Sequence, residues 1–186
     1  MPSRTHRPQN HPKRPEHPQL PPSKQTTMPP KTKKPPKMEK PPKFSLHPEL
    51  HGAVSLHLAD DDLHFSFRQD RSDARSTKAW NSNIRGVFIC YNNKCPSRSW
   101  ASGMVAIRIL LYAGQQYHAQ VYHQRCEQCN FVSKPRLDDS YAERVARRLK
   151  IWSGVKVESV PRRGQSKRPH LTELCEGCRA GYCSNA

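Results

Sequence analysis

All seven cysteines of this chain lie between residues 90 and 183, and their spacing constrains the fold more than any other feature. They form two close pairs and a closing trio: Cys90 and Cys95, Cys126 and Cys129, and Cys175, Cys178 and Cys183. Two cysteines separated by two residues can direct both thiolates at one tetrahedral Zn²⁺. A single pair is also found in redox and haem-attaching motifs, but several within one short span indicate a domain built on zinc.

The cysteines are expected to bind metal and not to form disulfides, because an odd number leaves one thiol without a partner. The N-terminal sequence MPSRTHRPQNHPK lacks the apolar segment of a secretory signal. No stretch approaches the ~18 apolar residues of a membrane span. We therefore expect an intracellular protein, cytoplasmic or nuclear, neither secreted nor transmembrane, in a compartment that keeps thiols reduced.

The composition agrees with a small core stabilised by metal. Hydrophobic residues make up 34% of the chain, against roughly 45–50% in typical soluble domains. A small domain of this kind commonly depends on a structural metal. The formal net charge is +17, and so large an excess favours polyanionic partners such as nucleic acid or acidic lipid surfaces.

Residues 1–43 form a separate segment, predicted to be a disordered tail rich in Pro and Lys. It contains 13 of the 18 prolines and almost no large apolar side chain, so it cannot offset the entropy of ordering. Three roles remain open. They are a tail that only solvates the protein, a nucleic-acid-attracting arm or nuclear import signal centred on residues 31–43, and an SH3-type ligand.

Residues 44–83 are predicted to extend the ordered domain. Apolar residues alternate with polar ones over residues 54–58 and again over residues 63–67, on either side of the acidic turn Asp60 to Asp62. This alternation predicts a β-hairpin. Residues 68–79 are interpreted as a charged loop, and the three aspartates as a solvated turn and not a metal site.

Residues 84–186 are predicted to be the zinc-binding domain. Alternating apolar residues predict a strand ending at Cys90, a second strand over residues 104–112, and a returning strand over residues 117–121 that leads to Cys126. A short strand is predicted at residues 155–160. The expected fold class is α+β, a small zinc-stapled, zinc-ribbon-like antiparallel sheet with one helix, preceded by the disordered basic tail.

The helix is predicted to begin at Ser140 and to end at Ser153 and Gly154. Ser140 and Glu143 have the spacing of a capping box. An apolar stripe follows at positions 141, 145, 149 and 152. Arg144, Arg147, Arg148 and Lys150 lie away from that stripe and form a predicted basic face.

Seven cysteines and His170 make eight candidate ligands, enough for two tetrahedral sites. The first site is predicted to use Cys90, Cys95, Cys126 and Cys129, and the second His170, Cys175, Cys178 and Cys183. Two alternatives remain open: His170 as a solvated loop residue, and one ion shared by the pairs at 126/129 and 175/178. His118 and His123 are interpreted as residues of the returning strand and not as ligands.

Complete Cys₄ and Cys₃His shells leave no position for a reacting water, so both zinc ions are expected to be structural. The sequence shows no nucleophile–base pair, phosphate-binding loop or pair of carboxylates with a catalytic spacing. We therefore expect a protein that is not an enzyme.

The motifs GVFICYNNKC, SRSWASGMVAI, HQRCEQC and H-x4-CEGCRAGYC together resemble the three-CxxC zinc-binding domain family. This family includes receptor-transporting proteins, zygote-arrest proteins and uncharacterised fungal proteins. The resemblance covers about residues 84–186. It departs from the family pattern at the first pair, where four residues, not two, separate Cys90 from Cys95. The tail is not part of the resemblance, and the chain looks most like the fungal members.

The resemblance implies two functions. Similarity to zygote-arrest proteins implies nucleic-acid binding, with RNA favoured over DNA, which the positive charge supports independently. Tyr91, Trp100 and Tyr182 are candidate stacking faces, although Trp100 is expected to pack in the core. Similarity to receptor-transporting proteins implies instead an adaptor that binds a protein client. The sequence does not specify the oligomeric state.

Overall fold

The computed structural model describes residues 41–158 and 169–184, which belong to one compact unit. Most of the predicted tail (residues 1–40) and residues 159–168, which include the end of the strand predicted at residues 155–160, lie outside the described residues. The fold class is confirmed: a curled antiparallel sheet is combined with a few helices. No described helix combines the length and the hydrophobicity that crossing a bilayer demands.

The main sheet is built on three long strands, β3 (Lys78–Ile89), β4 (Ser99–Tyr112) and β5 (Gln116–Tyr122). Short strands complete it: β1 (Phe44–Ser45), β2 (Ser66–Phe67) and β8 (Pro135–Leu137). The order is β1-β5-β4-β3-β8, and β2 pairs with β5 as the one parallel neighbour in the described sheet. A second sheet pairs β6 (Gln124–Arg125) with β7 (Val132–Ser133).

The predicted apolar face of the sheet is confirmed. Val105, Ile107 and Ile109 of β4 and Ala119 and Val121 of β5 are completely buried. They pair across the two strands in register, with Ile107 opposite Val121 and Ile109 opposite Ala119. This face packs against helix α2 (Ser140–Trp152), whose residues Tyr141, Val145 and Leu149 belong to the same core.

The bounds of α2 agree with the prediction, and Gly154 ends it with a φ of +86°. The predicted capping box is wrong. Asp139 occupies the N-cap position, and its carbonyl oxygen accepts from the Glu143 amide. The Ser140 hydroxyl accepts instead from the backbone N–H of Arg85. The Ser140 side chain, which the sequence predicted to cap the helix, therefore bonds to the sheet.

The predicted hairpin over residues 54–67 is also wrong. A 3₁₀ turn (Pro48–Leu50) leads into helix α1 (His51–Ala59). Val54 and Leu58 are four residues apart, so they share one side of a helix, and both are completely buried beside α2. Leu56, between them, is 76% exposed. Residues 63–67 are extended only at their end, where β2 joins the outer edge of β5.

The opposite face of the sheet is buried as well, which the sequence did not predict. Ala106, Leu110, His118 and Tyr122 on this face are at most 4% exposed. Part of the predicted charged loop covers them, since the Tyr112 hydroxyl donates to the Ser72 carbonyl and Arg108 pairs with Asp73. The C-terminal segment covers the rest through helix α3 (Glu176–Arg179). Residues 155–158 form no strand, contrary to prediction.

Candidate metal centres

The first centre forms where strands of both sheets end. Cys90 directly follows β3, and Cys126 directly follows β6. A short loop after each of these two cysteines brings the second member of the pair back to it, Cys95 to Cys90 and Cys129 to Cys126. The Sγ atoms of Cys90 and Cys129 are 3.5 Å apart, and those of Cys95 and Cys126 are 3.7 Å apart. Four sulfurs at ~2.3 Å from a tetrahedral Zn²⁺ would be separated by about 3.8 Å. The four sulfurs therefore have the spacing that zinc requires.

Backbone amides support these sulfurs. The N–H of Asn92 hydrogen-bonds to Cys90, and the N–H of Phe131 to Cys129, each from two residues further along the chain. Burial raises the pKa of the Cys126 thiol, but the N–H groups of Gln128 and Cys129 outweigh it and bring the pKa to about 7. Hydrogen bonds of this kind orient the ligands of a metal and stabilise their thiolate form.

The centre is enclosed from the sheet side by Trp100. Its indole stacks on Phe88, with ring centroids 5.2 Å apart and an interplanar angle of 11°. The indole N–H donates to the side-chain carbonyl of Gln124, the residue that begins β6. Cys90, Cys95 and Cys126 are each less than 10% exposed. The expectation that Trp100 packs in the core is confirmed.

The second centre lies on the face of the sheet opposite α1 and α2. It gathers His170, Cys175, Cys178 and Cys183, whose ligand atoms all lie within 4.8 Å of one another. His170 Nε2 is 3.2 Å from the Cys178 sulfur and 3.6 Å from the Cys183 sulfur. A nitrogen and a sulfur bound to the same tetrahedral zinc would be about 3.6 Å apart. His170 is thus part of the cluster and is not a solvated loop residue.

Residues of the sheet hold the second centre in place. Asn83 of β3 accepts from the Cys183 thiol through Oδ1 and donates through Nδ2 to the carbonyl of Ser184. Hydrogen bonding from the Cys183 thiol lowers the pKa of Cys175 to about 5, against the opposing effect of burial. Gly177 of α3 lies so close to β4 that an added Cβ would be 2.3 Å from the Cβ of Ala106. Only glycine permits this approach.

The two centres are joined by neighbouring residues. Arg125, next to Cys126, forms an ion pair with Glu176, next to Cys175, with 2.5 Å between Nε and Oε1. Glu176 is 1% exposed, and its backbone N–H donates to the carbonyl of His123. Gln124 and Cys175 form an isolated β-bridge beside this pair. Residues next to a ligand of one centre therefore contact residues next to a ligand of the other.

The two sets of four ligands fit two zinc ions, since soft thiolates and one imidazole are the donors that zinc prefers. Residues 83–181 match the Zn_ribbon_3CxxC family, described as a zinc-binding domain. The chain belongs to this three-CxxC zinc-ribbon family. Among curated proteins and among solved structures, none is matched by the chain.

The three-CxxC arrangement accommodates the longer first pair without loss of geometry. The two additional residues form a turn in which the Cys95 amide donates to the Asn92 carbonyl, and Cys95 reaches the other three sulfurs. The alternative in which the pairs at 126/129 and 175/178 share one ion does not describe this structure, because they lie in different clusters.

His118 and His123 lie outside both clusters of the described residues, as predicted. His118 is completely buried near Tyr112 and Gln120, and burial lowers its pKa to about 4. His123 contacts the Ser45 hydroxyl, and burial lowers its pKa to about 4 as well. Sequence reasoning missed Asn83, Arg125 and Glu176, because a residue that supports a ligand carries no spacing signal of its own.

Proposed function

We propose that this three-CxxC protein is a structural zinc protein that binds nucleic acid, RNA in particular, through the surface of its first metal centre. The observation that carries the proposal is a pair of exposed aromatic side chains on the two loops that meet there. Tyr91 follows Cys90 and is 66% exposed, and Phe131 follows Cys129 by two residues and is 39% exposed. Large exposed aromatic side chains are suited to stacking on unpaired bases.

The eight cysteine and histidine residues are proposed as the zinc ligands. Filled tetrahedral shells make both ions structural, and their binding supplies free energy for folding, of order 10 kcal/mol per site in zinc-finger peptides. The role of the metal is therefore to fix the two loops that carry Tyr91 and Phe131. Reduced thiols are needed for this role, so we place the protein in an intracellular compartment.

Basic side chains without an ion-pair partner among the described residues lie on the first loop and on the edge strand β8. Lys94 and Arg98 belong to the first loop and its exit, and Arg136 lies on the edge strand β8. All three are exposed and form no ion pair with any described residue. The second loop carries one exposed acid, Glu127. Basic side chains without an acidic partner are free to contact phosphates.

Other side chains that the sequence predicted to contact nucleic acid already form contacts within the protein. Tyr182 lies beneath the guanidinium of Arg108, 4.0 Å from its ring centroid. On α2, Lys150 pairs with Asp61, and Arg148 stacks on Trp80. Arg147 donates to the carbonyl of Glu158. These engagements favour the first metal centre over α2 as the binding surface.

The test is fluorescence anisotropy with zinc-loaded protein and a labelled single-stranded RNA, compared with the corresponding DNA and with duplex RNA. Replacing Tyr91 and Phe131 by Ala is expected to weaken RNA binding at least about tenfold, since one stacked base contributes ~1–3 kcal/mol. Zinc content should not change. Leu56→Ala is the matched control, because Leu56 is an exposed apolar residue on α1, away from the metal centres.

The salt dependence of the binding affinity distinguishes nucleic-acid binding from the alternative function, an adaptor that binds a protein client. Affinity for single strands should fall with salt by a slope of about 0.7 per neutralised phosphate, and Lys94→Ala and Arg98→Ala should each reduce that slope. RNA affinity that is indifferent to salt and to both aromatic substitutions would contradict the proposal.

The second candidate function is an adaptor that binds a protein client. It is favoured by a groove of 510 Å³ between β3, β4 and β8, whose lining includes Gly86, Val87, Ala101 and Leu137. Val87 is 43% exposed there. An apolar interface of this kind should respond little to salt. Binding that survives high salt and is lost on Val87→Asp would favour the adaptor.

Zinc stoichiometry is measured by native mass spectrometry. Two ions per chain are expected, with loss of folded structure when a chelator removes them. Cys95→Ser should remove the ion of the first centre, and Cys183→Ser that of the second. One ion in the wild-type protein would contradict the assignment of His170 and Cys183 as ligands.

A further inference from the structure

A chain of hydrogen bonds links three polar side chains near the start of the described residues. The Nδ1 atom of His47 lies 2.9 Å from Oε1 of Glu49, and its Nε2 atom lies 3.1 Å from the Ser45 hydroxyl. A carboxylate on one imidazole nitrogen and a hydroxyl on the other is the connectivity by which a histidine activates a serine nucleophile. Neither metal cluster includes any of these residues.

The local sequence explains how residues only two apart converge. Ser45 is held in β1 by its pairing with Val121. In an extended chain alternate side chains share a side, so His47 lies over Ser45. Pro48 then begins the 3₁₀ turn, in which the Leu50 amide donates to the His47 carbonyl, and this turn brings Glu49 back to His47. The arrangement follows from one short segment, residues 45–49.

The protonation states favour proton transfer from Ser45 to His47. His47 is 4% exposed, and burial lowers its pKa despite the opposing hydrogen bond to Glu49, so its imidazole is neutral at pH 7. The Glu49 carboxylate accepts a hydrogen bond from the Nδ1–H of His47, which leaves the lone pair of Nε2 directed at Ser45. His123 Nε2 lies 3.2 Å from the same hydroxyl oxygen. The single N–H of neutral His123 donates to the Pro42 carbonyl, so its Nε2 is a second acceptor beside the Ser45 hydroxyl.

A pocket of 340 Å³ opens beside Ser45, which is part of its lining. Its lining combines the apolar residues Leu46, Pro48 and Phe67 with the polar residues Gln69, Arg71 and Lys134. The Arg71 guanidinium is fixed beside the nucleophile, since it donates to the carbonyl of Phe44 at 2.6 Å. Cationic donors near a serine can stabilise the negative oxygen that forms during acyl transfer. The pocket thus has room for a small acyl group next to a charged oxygen.

We propose that Ser45, His47 and Glu49 form a serine-esterase site that hydrolyses small esters with an apolar acyl group. This activity goes beyond the proposed nucleic-acid binding, does not depend on it, and departs from the expectation that the protein is not an enzyme. Ser45 Oγ bonds to the ester carbonyl carbon while its proton passes to His47 Nε2. The proton then moves to the leaving alcohol as the ester C–O bond breaks.

Water completes the cycle by the same route. It gives its proton to His47 Nε2 and bonds to the carbonyl carbon of the acyl-serine, and the returned proton restores the Ser45 hydroxyl as the carboxylic acid leaves. Neither step requires an oxidant or a reductant. Glu49 acts as a positioning residue, because it holds the tautomer of His47 and does not touch the ester.

The first experiment maps covalent labelling of the full-length, zinc-loaded protein by a fluorophosphonate probe, followed by proteolysis and mass spectrometry. An adduct on Ser45, absent when the protein is denatured before labelling, is the expected result. The Ser55→Ala variant is the matched control, because the Ser55 hydroxyl on α1 only donates to the carbonyl of His51. Absence of the Ser45 adduct in the folded protein would overturn the proposal, whatever the variants do.

The second experiment follows release of p-nitrophenolate from p-nitrophenyl butyrate. Ser45→Ala should reduce the rate to that of buffer, and His47→Gln should reduce it by about 10² or more. Glu49→Gln should lower kcat and change its pH profile with little change in KM. Zinc content of each variant, measured by native mass spectrometry, reports whether it is folded. A folded Ser45→Ala protein that hydrolyses the ester at the wild-type rate would contradict the assignment.

Discussion

Arg125, which precedes Cys126, and Glu176, which follows Cys175, form an ion pair with 2.5 Å between Nε and Oε1. Glu176 is 1% exposed, so Arg125 compensates for the burial of its carboxylate. The pair connects the end of β6 to the short helix α3 of the second centre. Loss of zinc from either centre is therefore expected to weaken the other.

Glu176→Ala is expected to destabilise the protein by about 3 kcal/mol, because it leaves the Arg125 guanidinium without its buried partner. The second centre should lose zinc at a lower chelator concentration than in the wild-type protein. Urea unfolding and chelator titration measure the two effects. Arg179→Ala is the control, since Arg179 lies 4.0 Å from the same carboxylate but is largely exposed. Equal effects of the two substitutions would contradict a special role for Arg125.

Gly177→Ala is expected to disrupt the second centre while leaving the first one loaded. The new Cβ would lie 2.3 Å from the Cβ of Ala106, so α3 must move away from β4. Overpacking of this kind costs about 1–3 kcal/mol. Native mass spectrometry should show one zinc ion where the wild-type protein holds two. Ala106→Gly in the same chain removes the conflicting atom and should restore the second ion; failure of this rescue would locate the defect elsewhere.

The Arg148 guanidinium stacks over Trp80, with its central carbon 3.4 Å from the ring centroid. This contact joins the polar side of α2 to β3. Arg148→Ala is expected to reduce the free energy of unfolding by about 1–2 kcal/mol. Arg147→Ala, on the same helix, is the control and should have a smaller effect. A double-mutant cycle with Trp80→Ala measures the pair directly, and a coupling energy near zero would show that the stacking does not stabilise the fold.

Acid should destabilise the folded protein through His118. Burial lowers its pKa to about 4 in the folded state, against about 6.5 when unfolded. Between these values the unfolded chain binds a proton that the folded chain does not, so stability falls as pH falls from about 6.5 to about 4, by up to about 1.4 kcal/mol per pH unit.

Urea unfolding of wild type and His118→Phe, from pH 7 to pH 5 with zinc in excess, isolates this contribution. Release of zinc at low pH affects both proteins alike, so the difference in slope reports His118. Asp70, Asp73 and Arg68 also influence the pKa of this histidine and remain in both proteins. Identical slopes would show that His118 does not account for the acid sensitivity.

The sequence by itself determined the features that depend on short-range spacing. Two cysteines in one tight loop can direct both thiolates at one ion whatever surrounds them, so the candidate ligands were predictable from residue positions, while the fold decided which pairs share an ion. The apolar alternation of β4 and β5 and the apolar stripe of α2 were equally local. Each of these patterns can be recognised locally. Residues two apart share one side of a strand, whereas residues three or four apart share one side of a helix.

Where two local structures suit the same residues, the sequence alone did not decide between them. Val54, Leu56 and Leu58 fit a strand by alternation, yet Val54 and Leu58 also fit a helix, and packing against α2 selected the helix. Ser140 fits a helix cap, but the Arg85 amide of the sheet takes its hydroxyl. A side chain with two possible partners goes to the one that tertiary packing brings near.

The contacts that only the tertiary structure decided are those between distant segments. The second metal centre covers the face of the sheet opposite α2, and the Arg125–Glu176 pair connects it to the first centre across 51 residues of sequence. No periodicity marks such contacts, because they depend on how elements are placed in space and not on the conformation of either segment. The zinc ligands could therefore be predicted from the sequence, whereas the contacts by which the two centres support each other depend on the tertiary structure.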